Sequence, residues 1–462
     1  MQAYDFILIG TGQASFTILS ELIPTGTRIA VIEGGRFGGT CVNYGCTPTK
    51  TLVAAARAAY MARRANDFGV VLPGDGNHHI EDIRVDWQHG IKRALDNRQG
   101  TNEWMDGFLD ENVDLYRGWA QFESEKTVRI NDDVIEGETI YIHTGASPRV
   151  PDIPGIDSVP YLTSTNLLEL PDLPEHIVIV GGSYIGLEYS QIFRRFGAQV
   201  TVIEHSDQIM TREDPDIAQI AREVLEGEGI NFVTGASVTR VANNNGGVDV
   251  IVEQGGAEHA IHGSHLLLAV GRTPNTANLG LEKAGIETTE RGYVKVDEHL
   301  STNVPGVFAV GDVNGHGAFT HTSVNDGEII LNNLNGGDRS VNDRFLTYAL
   351  FMDPPLGRVG MNETMAKQSD RKLLMGTMDM ASISRAKEKD ETAGKVKVIV
   401  DAETDTFVGA TVFGTGGDEI INMFTIAMYT GVPCRTFRDS VLVHPTVAEL
   451  LPYIIRDMKP VN

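Results

Sequence analysis

GGRFGGTCVNYGCTPTKT, residues 34–51, holds two of the chain's three cysteines, Cys41 and Cys46, five positions apart between a glycine-rich loop and an alanine-rich helical stretch. Cysteine this scarce in 462 residues fits a reducing cytosol, where a close pair serves catalysis or metal binding more often than structure. The glycines on both sides suit close approach of a ligand to the backbone, and Lys50 stands four residues beyond Cys46. A metal site lacks further ligands at the usual spacing, and an inert buried pair fits poorly with this setting.

Immediately upstream, residues 4–33 read as strand, glycine turn, helix and strand. Residues 6–9 form the continuous apolar run of a strand buried on both faces, followed by GTGQAS (10–15), a helical pattern over 14–22 and a strand over 28–33. This is a dinucleotide fingerprint with Ser15 in place of the third glycine. Gly10 permits the turn, Gly12 admits a pyrophosphate to the backbone, and Glu33 can bond ribose hydroxyls. The unit recurs as an apolar strand over 177–180, GGSYIG (181–186), a helix over 187–196 and a strand over 200–204. Gly10 to Glu33 and Gly181 to Glu204 both span 23 positions. Two matched units imply two dinucleotides, and a hydride carrier feeding a bound flavin is the natural pairing. Ser183 takes the middle glycine position of the second unit, so its side chain must turn away from a pyrophosphate or bond to it. Glu204 at the strand end favours NADH, because a carboxylate there repels a 2′-phosphate; Arg212 nearby acts in the opposite sense.

A net charge of -24 and a pI near 4.9 exclude nucleic acid and an anionic membrane as partners, since both would be repelled. No apolar run approaches the roughly 20 residues of a membrane span and no secretion signal is expected, so the chain reads as cytoplasmic.

The rest of the chain falls into place around these units. A helix is expected over 49–64, a surface loop with His78 and His79, a second helix over 85–106, and a strand over 139–145 returning to the first sheet. The proline-rich stretch 148–155 reads as a linker, while 265–271 and 306–312 read as further returns, the latter into the first domain. From about residue 342 the pattern changes: strands over 395–400 and 407–413 and a helix over 419–430 predict an antiparallel sheet with covering helices. The charged stretch 387–392 reads as a solvated loop, Cys434 as a small buried hydrophobe, and 444–449 places His444 and Glu449 five positions apart.

Five separated elements, GGTCVNYGCTPTK, the two fingerprints, AVGD (309–312) and HPTVAE (444–449), together resemble the FAD-dependent pyridine nucleotide-disulfide oxidoreductases over essentially the whole chain. The resemblance implies an α/β fold: two Rossmann-like domains, for FAD and NAD, and a C-terminal α+β dimerisation domain. The FAD-binding domain would span 1–150 and be completed by a return segment over 276–341, with NAD binding over 151–275 and dimerisation over 342–462.

By the same resemblance Cys41 is the interchange thiol and Cys46 the thiol facing the flavin, the two forming a redox disulfide. His444 is the acid-base partner of Cys41, oriented by Glu449 and supplied by the other subunit of a homodimer, and Lys50 pairs with Glu188 beside the flavin. FAD contacts fall to Gly10, Gly12, Ser15, Glu33, Thr40, Lys50, Ala120, Thr144, Gly145 and Asp312. NAD contacts fall to Gly181, Ser183, Gly186, Glu204, Gly271 and Arg272, with Tyr184 as the ring that covers the flavin until nicotinamide displaces it. His321 stands where the family has proline, and His316 with His321 is not read as a metal pair.

The expected reaction moves electrons between NAD(P)H, FAD and the Cys41–Cys46 pair, to or from a small or lipoyl-like disulfide. The tail LLPYIIRDMKPVN lacks the vicinal cysteines of a typical mercuric reductase, which makes mercuric-reductase-like metal reduction the alternative; a low-turnover redox-sensing flavoprotein is the third reading.

Overall fold

The apolar run that ends Gln2–Ile9 is buried on both faces because this strand lies inside a sheet, paired in parallel with Ile29–Glu33 on one side and Asp133–Ile142 on the other. Leu8 packs with Ile18 and Ile329 on one face, while Ile7 and Ile9 pack with Ile140 and Val307 on the other. Full burial of each such side chain contributes about 1.5–3 kcal/mol. The computed structural model describes residues 1–71, 85–106 and 112–461, without the side chains of 100–106; His78 and His79 lie outside the described residues.

The first sheet has seven strands. Val113–Arg117, Ile29–Glu33, Gln2–Ile9 and Asp133–Ile142 run parallel, with Thr127–Ile130 and Ala120–Phe122 added antiparallel. Val307–Ala309 returns from far along the chain to pair with Asp133–Ile142. The second sheet has five parallel strands in the order Ile230–Val233, Gln199–Ile203, His176–Val180, His265–Leu268 and Tyr161–Leu162. A three-stranded antiparallel sheet, Ala236–Asn244 to Ala257–Gly263, stands beside it. The third sheet has six strands, all antiparallel, from Thr347–Leu350 to Lys459–Pro460, with helix Gly417–Thr430 packed on it. The fold is thus α/β with a C-terminal α+β sheet unit.

Helix Cys46–Arg63 is held between these parts: its Leu52 and Ala56 share a core with Leu187, Tyr189 and Phe193 of helix Tyr184–Phe196 and with Tyr348 and Leu350 of the third sheet. Two expectations are corrected. The stretch 148–155 is more than a linker, since Ala146–Pro148 forms an antiparallel ribbon with Arg272–Pro274 and Pro154 accepts from the Val241 amide. The stretch 387–392 is more than a solvated loop, because Glu391 pairs with Arg57 and Asp390 with Arg64, tying it to the end of helix Cys46–Arg63. Both ties join residues far apart in the chain, 87 positions for Pro154 with Val241 and 334 for Arg57 with Glu391, which local composition does not reveal.

Candidate active site

Cys41 lies in the short helix Gly39–Asn43, and Cys46 is the first residue of the 18-residue helix Cys46–Arg63. Buried Asn43 fixes the loop between them, donating to the carbonyls of Phe37 and Gly39 at 2.7 and 2.9 Å. The helix start carries no side-chain cap, and the positive end of the helix dipole favours a thiolate at Cys46, its first residue. Thr320, first residue of helix Thr320–Leu334, places its hydroxyl 3.3 Å from Cys46 Sγ. Both cysteines are free thiols, Cys41 half-buried and Cys46 exposed. The hydrogen bond from Cys41, against the cost of burial and with help from Thr320 and the charge of Lys50, pushes Cys46 down to about 6. That same bond, reinforced by burial, pushes Cys41 far up. The pair therefore holds one proton, on Cys41, and a thiolate on Cys46.

Lys50 follows one helical turn later. Its Nζ lies 2.6 Å from Glu188 Oε2 and 4.7 Å from the centre of the Phe351 ring, and the Phe351 amide donates to Glu188 Oε1 at 2.9 Å. The Glu188 side chain is 7% exposed, so both its oxygens need these partners.

The two fingerprints form matching cradles. Glu33 Oε2 accepts from the Thr11 amide at 3.0 Å and Oε1 from the Gly35 amide at 2.7 Å; Glu204 Oε2 accepts from the Gly182 amide at 2.7 Å and Oε1 from the Ser206 amide at 2.9 Å. A Cβ at Gly10 would strike the carbonyl of His143, and one at Gly181 the carbonyl of Ala269, so both turns require glycine. Gly12 and Ser183 are the N-caps of helices Gln13–Leu22 and Tyr184–Phe196, and neither helix start has a side-chain cap. An uncapped helix start directly behind a glycine turn, present in both units, is the arrangement that receives the pyrophosphate of FAD or of a nicotinamide dinucleotide. Ser183 is exposed and makes no cap, in line with a side chain turned from the loop.

The third fingerprint position differs between the units for a physical reason. Gly186 packs directly on the Gly181 carbonyl. Ser15 instead donates to the Gly10 carbonyl at 2.8 Å and accepts from His143 Nδ1 at 2.8 Å, while Ser323 bonds His143 Nε2 at 3.1 Å and accepts from the Ala14 amide at 3.3 Å. Burial pushes His143 down to about 4, so it is neutral, and the bond to Ser15 places its proton on Nδ1. His143 was not among the expected site residues; its signal was its place directly before Thr144 and Gly145 at the end of a core strand.

Ala120 is buried at the edge of the first sheet, and Thr144 exchanges hydrogen bonds with Asn275 beside Gly145. Gly271 lies two residues beyond the Ala269 carbonyl that faces Gly181. Arg272, expected on the NAD side, points elsewhere: it donates to the Ala146 carbonyl and to Thr40 Oγ1, and its Nε lies 3.4 Å from Asp312 Oδ2. The ribbon pairing of Arg272–Pro274 with Ala146–Pro148 turns it toward the first unit. Arg272 Nε is buried without a hydrogen-bond partner among the described residues, and burial raises Asp312 more than Arg272 lowers it. Beside Glu33 a groove of about 690 Å³ opens, lined by Gly35, Arg36, Phe37, Leu95, Arg98 and Arg117 among others.

His444 Nδ1 lies 2.8 Å from Glu449 Oε2, with the His444 side chain 78% exposed on the chain's own surface. Tyr184 donates to Glu213 Oε1 at 2.6 Å. His321 Nε2 donates to the Thr347 carbonyl at 2.7 Å and its ring stacks on Phe319, which accounts for it as a packing residue rather than half of a metal pair. Cys434 is buried. Thr320, Phe351, Tyr348 and Glu213 escaped the sequence reading because each acts across 29 or more positions, up to 274 for Thr320 with Cys46.

Asp214, Asp216 and Glu363 are the one trio of metal-like spacing among the described residues. Lys397 Nζ faces all three, at 3.2, 2.6 and 2.6 Å.

Comparison with known proteins agrees with this geometry. Residues 4–327 match the family model for pyridine nucleotide-disulphide oxidoreductases and residues 346–453 that for their dimerisation domain. The mercuric reductase of Staphylococcus aureus is 32% identical over 96% of this chain and 81% of its own length. The probable pyridine nucleotide-disulfide oxidoreductase RclA of Escherichia coli K12 is 36% identical over 98% of both. The Cu(II) complex of the HOCl-induced flavoprotein disulfide reductase RclA from Escherichia coli superposes with a TM-score of 0.88, at 35% identity, covering 99% of each chain. No helix among the described residues is long and apolar enough to cross a membrane.

Proposed function

From the premise that the chain belongs to the pyridine nucleotide-disulphide oxidoreductases, a family of FAD enzymes acting on sulfur groups, we propose that it reduces a small or lipoyl-like disulfide through Cys41 and Cys46. The observation that carries this reading is the setting of the thiol pair: Cys46 opens helix Cys46–Arg63 with the Thr320 hydroxyl 3.3 Å from its sulfur and the Lys50–Glu188 pair one turn on, and Cys41 stands five residues before it as a second free thiol.

FAD, when bound, supplies the two-electron relay between the nicotinamide and the cysteine pair. Gly10, Gly12, Ser15 and Glu33 would hold its nucleotide end, with Thr40, Ala120, Thr144, Gly145 and Asp312 along its length. Gly181, Ser183, Gly186, Glu204 and Gly271 would hold the nicotinamide dinucleotide, NADH being preferred because the Glu204 carboxylate stands at the ribose end. Lys50, held 2.6 Å from Glu188 Oε2, keeps its ammonium near Cys46, whose thiolate that charge favours.

Cys41 must lose its proton before it can attack, and within the chain His444 bonds only Glu449 among the described residues. His444 of the partner subunit would take that proton, so the site would be completed in a homodimer. The Cys41 sulfur attacks the substrate disulfide, whose S–S bond breaks as a mixed disulfide forms, and the released thiolate takes the proton from the imidazole. Cys46 then attacks Cys41, the second substrate thiolate leaves and is protonated by solvent, and the Cys41–Cys46 disulfide remains. Two electrons have passed to the substrate.

A metal-ion reductase is the second reading, supported by the mercuric reductase relative and the Cu(II) complex of RclA. Domain limits of 1–150 with 276–341, 151–275 and 342–462, and a cytosolic location suited to free thiols, complete the proposal.

The test is NADH oxidation against lipoamide, low-molecular-weight disulfides, quinones, Hg(II) and Cu(II). The disulfide reading expects turnover with a disulfide that falls by about 10³-fold or more in Cys41→Ser. Faster turnover with a metal ion that survives His444→Ala selects the second reading, and negligible turnover with every acceptor, despite bound flavin, selects a sensor.

A further inference from the structure

Tyr184 opens helix Tyr184–Phe196 directly after Ser183 of the second cradle. One turn later the same helix face presents Glu188, the partner of Lys50. Tyr184 therefore sits on the helix between the nucleotide loop and Glu188, and its hydroxyl is tied. Tyr184 and Tyr348 both donate to Glu213 Oε1, at 2.6 and 2.5 Å, and their rings lie 5.3 Å apart. Arg358 Nη1 donates to the Tyr348 hydroxyl at 2.8 Å and lies 3.5 Å from Glu213 Oε2, which has no hydrogen-bond partner among the described residues. Glu213, Tyr348 and Arg358 are all buried.

We propose that Glu213 is a positioning residue that tethers Tyr184 in its covering position, so that one hydrogen bond sets how readily nicotinamide gains access to the flavin. This rests on the reading of Tyr184 as the covering ring. A purely structural role, joining the 204–214 loop to the third sheet, needs only Tyr348 and Arg358. What that role leaves unexplained is that the same carboxylate oxygen also takes the hydroxyl of Tyr184. Because Tyr348 and Arg358 hold Glu213 from the third sheet, the tether is anchored outside the dinucleotide unit and the ring moves only when its own bond breaks.

The experiment uses the FAD-loaded protein and the variants Tyr184→Phe, which keeps the ring and removes the tether, Glu213→Gln, the double variant, and Tyr184→Ala. Two quantities are read: iodide quenching of flavin emission, and the apparent second-order rate of flavin bleaching at low NADH. Since hydrogen bonds to charged groups are among the stronger ones, Tyr184→Phe and Glu213→Gln are each expected to raise both quantities, roughly five- to tenfold for the rate. The double variant should rise no further than either single one. Damage to packing would lower FAD content and melting temperature without a gain in access. Should Glu213→Gln lose FAD, Tyr184→Phe decides by itself, because it leaves the carboxylate and Arg358 in place. Unchanged access in the tether variants alongside increased access in Tyr184→Ala overturns the tether and keeps the covering ring. Unchanged access in Tyr184→Ala overturns both.

Discussion

At the scale of single residues, the site turns on which sulfur carries the charge. The Cys41 hydrogen bond is the largest influence lowering Cys46, ahead of Thr320 and Lys50, so the thiolate should persist down to about pH 6. Iodoacetamide alkylation of Cys46 in the reduced protein is expected to show a midpoint near 6. Cys41→Ala removes the leading cause and should move that midpoint upward by a unit or more, to within about a unit of the ordinary thiol value near 8.5. An unchanged midpoint would mean that Cys46 draws its acidity from elsewhere. The cysteines, Lys50 and the two carboxylates at the strand ends were legible because their chemistry is local: a spacing of five, a glycine turn, a charge at the end of an apolar run. Thr320 and Glu213 were not, since nothing near them in the chain announces a partner in another sheet.

At the scale of elements, three segments meet on one imidazole. His143, just past strand Asp133–Ile142, joins helix Gln13–Leu22 through Ser15 and helix Thr320–Leu334 through Ser323. The sequence made both cradles readable as strand, turn and helix, and even recorded Ser15 as a departure from glycine. It did not reveal that the departure is compensated by a histidine 128 positions away. Burial holds His143 at about 4 while an unfolded chain takes its proton near 6.5. The unfolded state therefore binds more protons between these values, and folding stability is full above about pH 6.5 and falls by up to about 3 kcal/mol as the pH drops toward 4. Thermal melts across that range should show this loss, accompanied by release of FAD, and His143→Phe should flatten the dependence. A melting temperature insensitive to pH between 4 and 6.5 would contradict the assignment.

At the scale of the whole molecule, buried charge ties the second cradle unit to the third sheet. Lys397 faces Asp214 and Asp216 from the loop and helix after Glu204, and Glu363 from the third-sheet unit. Burial raises Asp214 and Asp216, but hydrogen bonds from Thr364 and Lys397 respectively, with the charge of Lys397, outweigh it and leave both below the usual carboxylate range. Lys397→Met leaves buried Asp214 without its ammonium partner and should cost about 3–5 kcal/mol, read as a lowered denaturation midpoint. In the wild type this contribution is present above the ordinary carboxylate values and is lost as pH falls below about 4. Such a tie fixes the third sheet against the cradles and so fixes where His444 and Glu449 are presented.

That placement leads to the central claim, a site shared between two subunits. His444 is exposed and oriented by Glu449, Cys41 needs a base to shed its proton, and residues 346–453 match a dimerisation domain. The direct measurement mixes Cys41→Ser protein with His444→Ala protein under conditions that exchange subunits. Each variant alone should be nearly inactive with the disulfide substrate. In random heterodimers one of the two sites regains both an intact Cys41 and an intact His444, so the mixture should recover about a quarter of wild-type activity. No recovery, with heterodimers demonstrated by mass, would contradict the shared site.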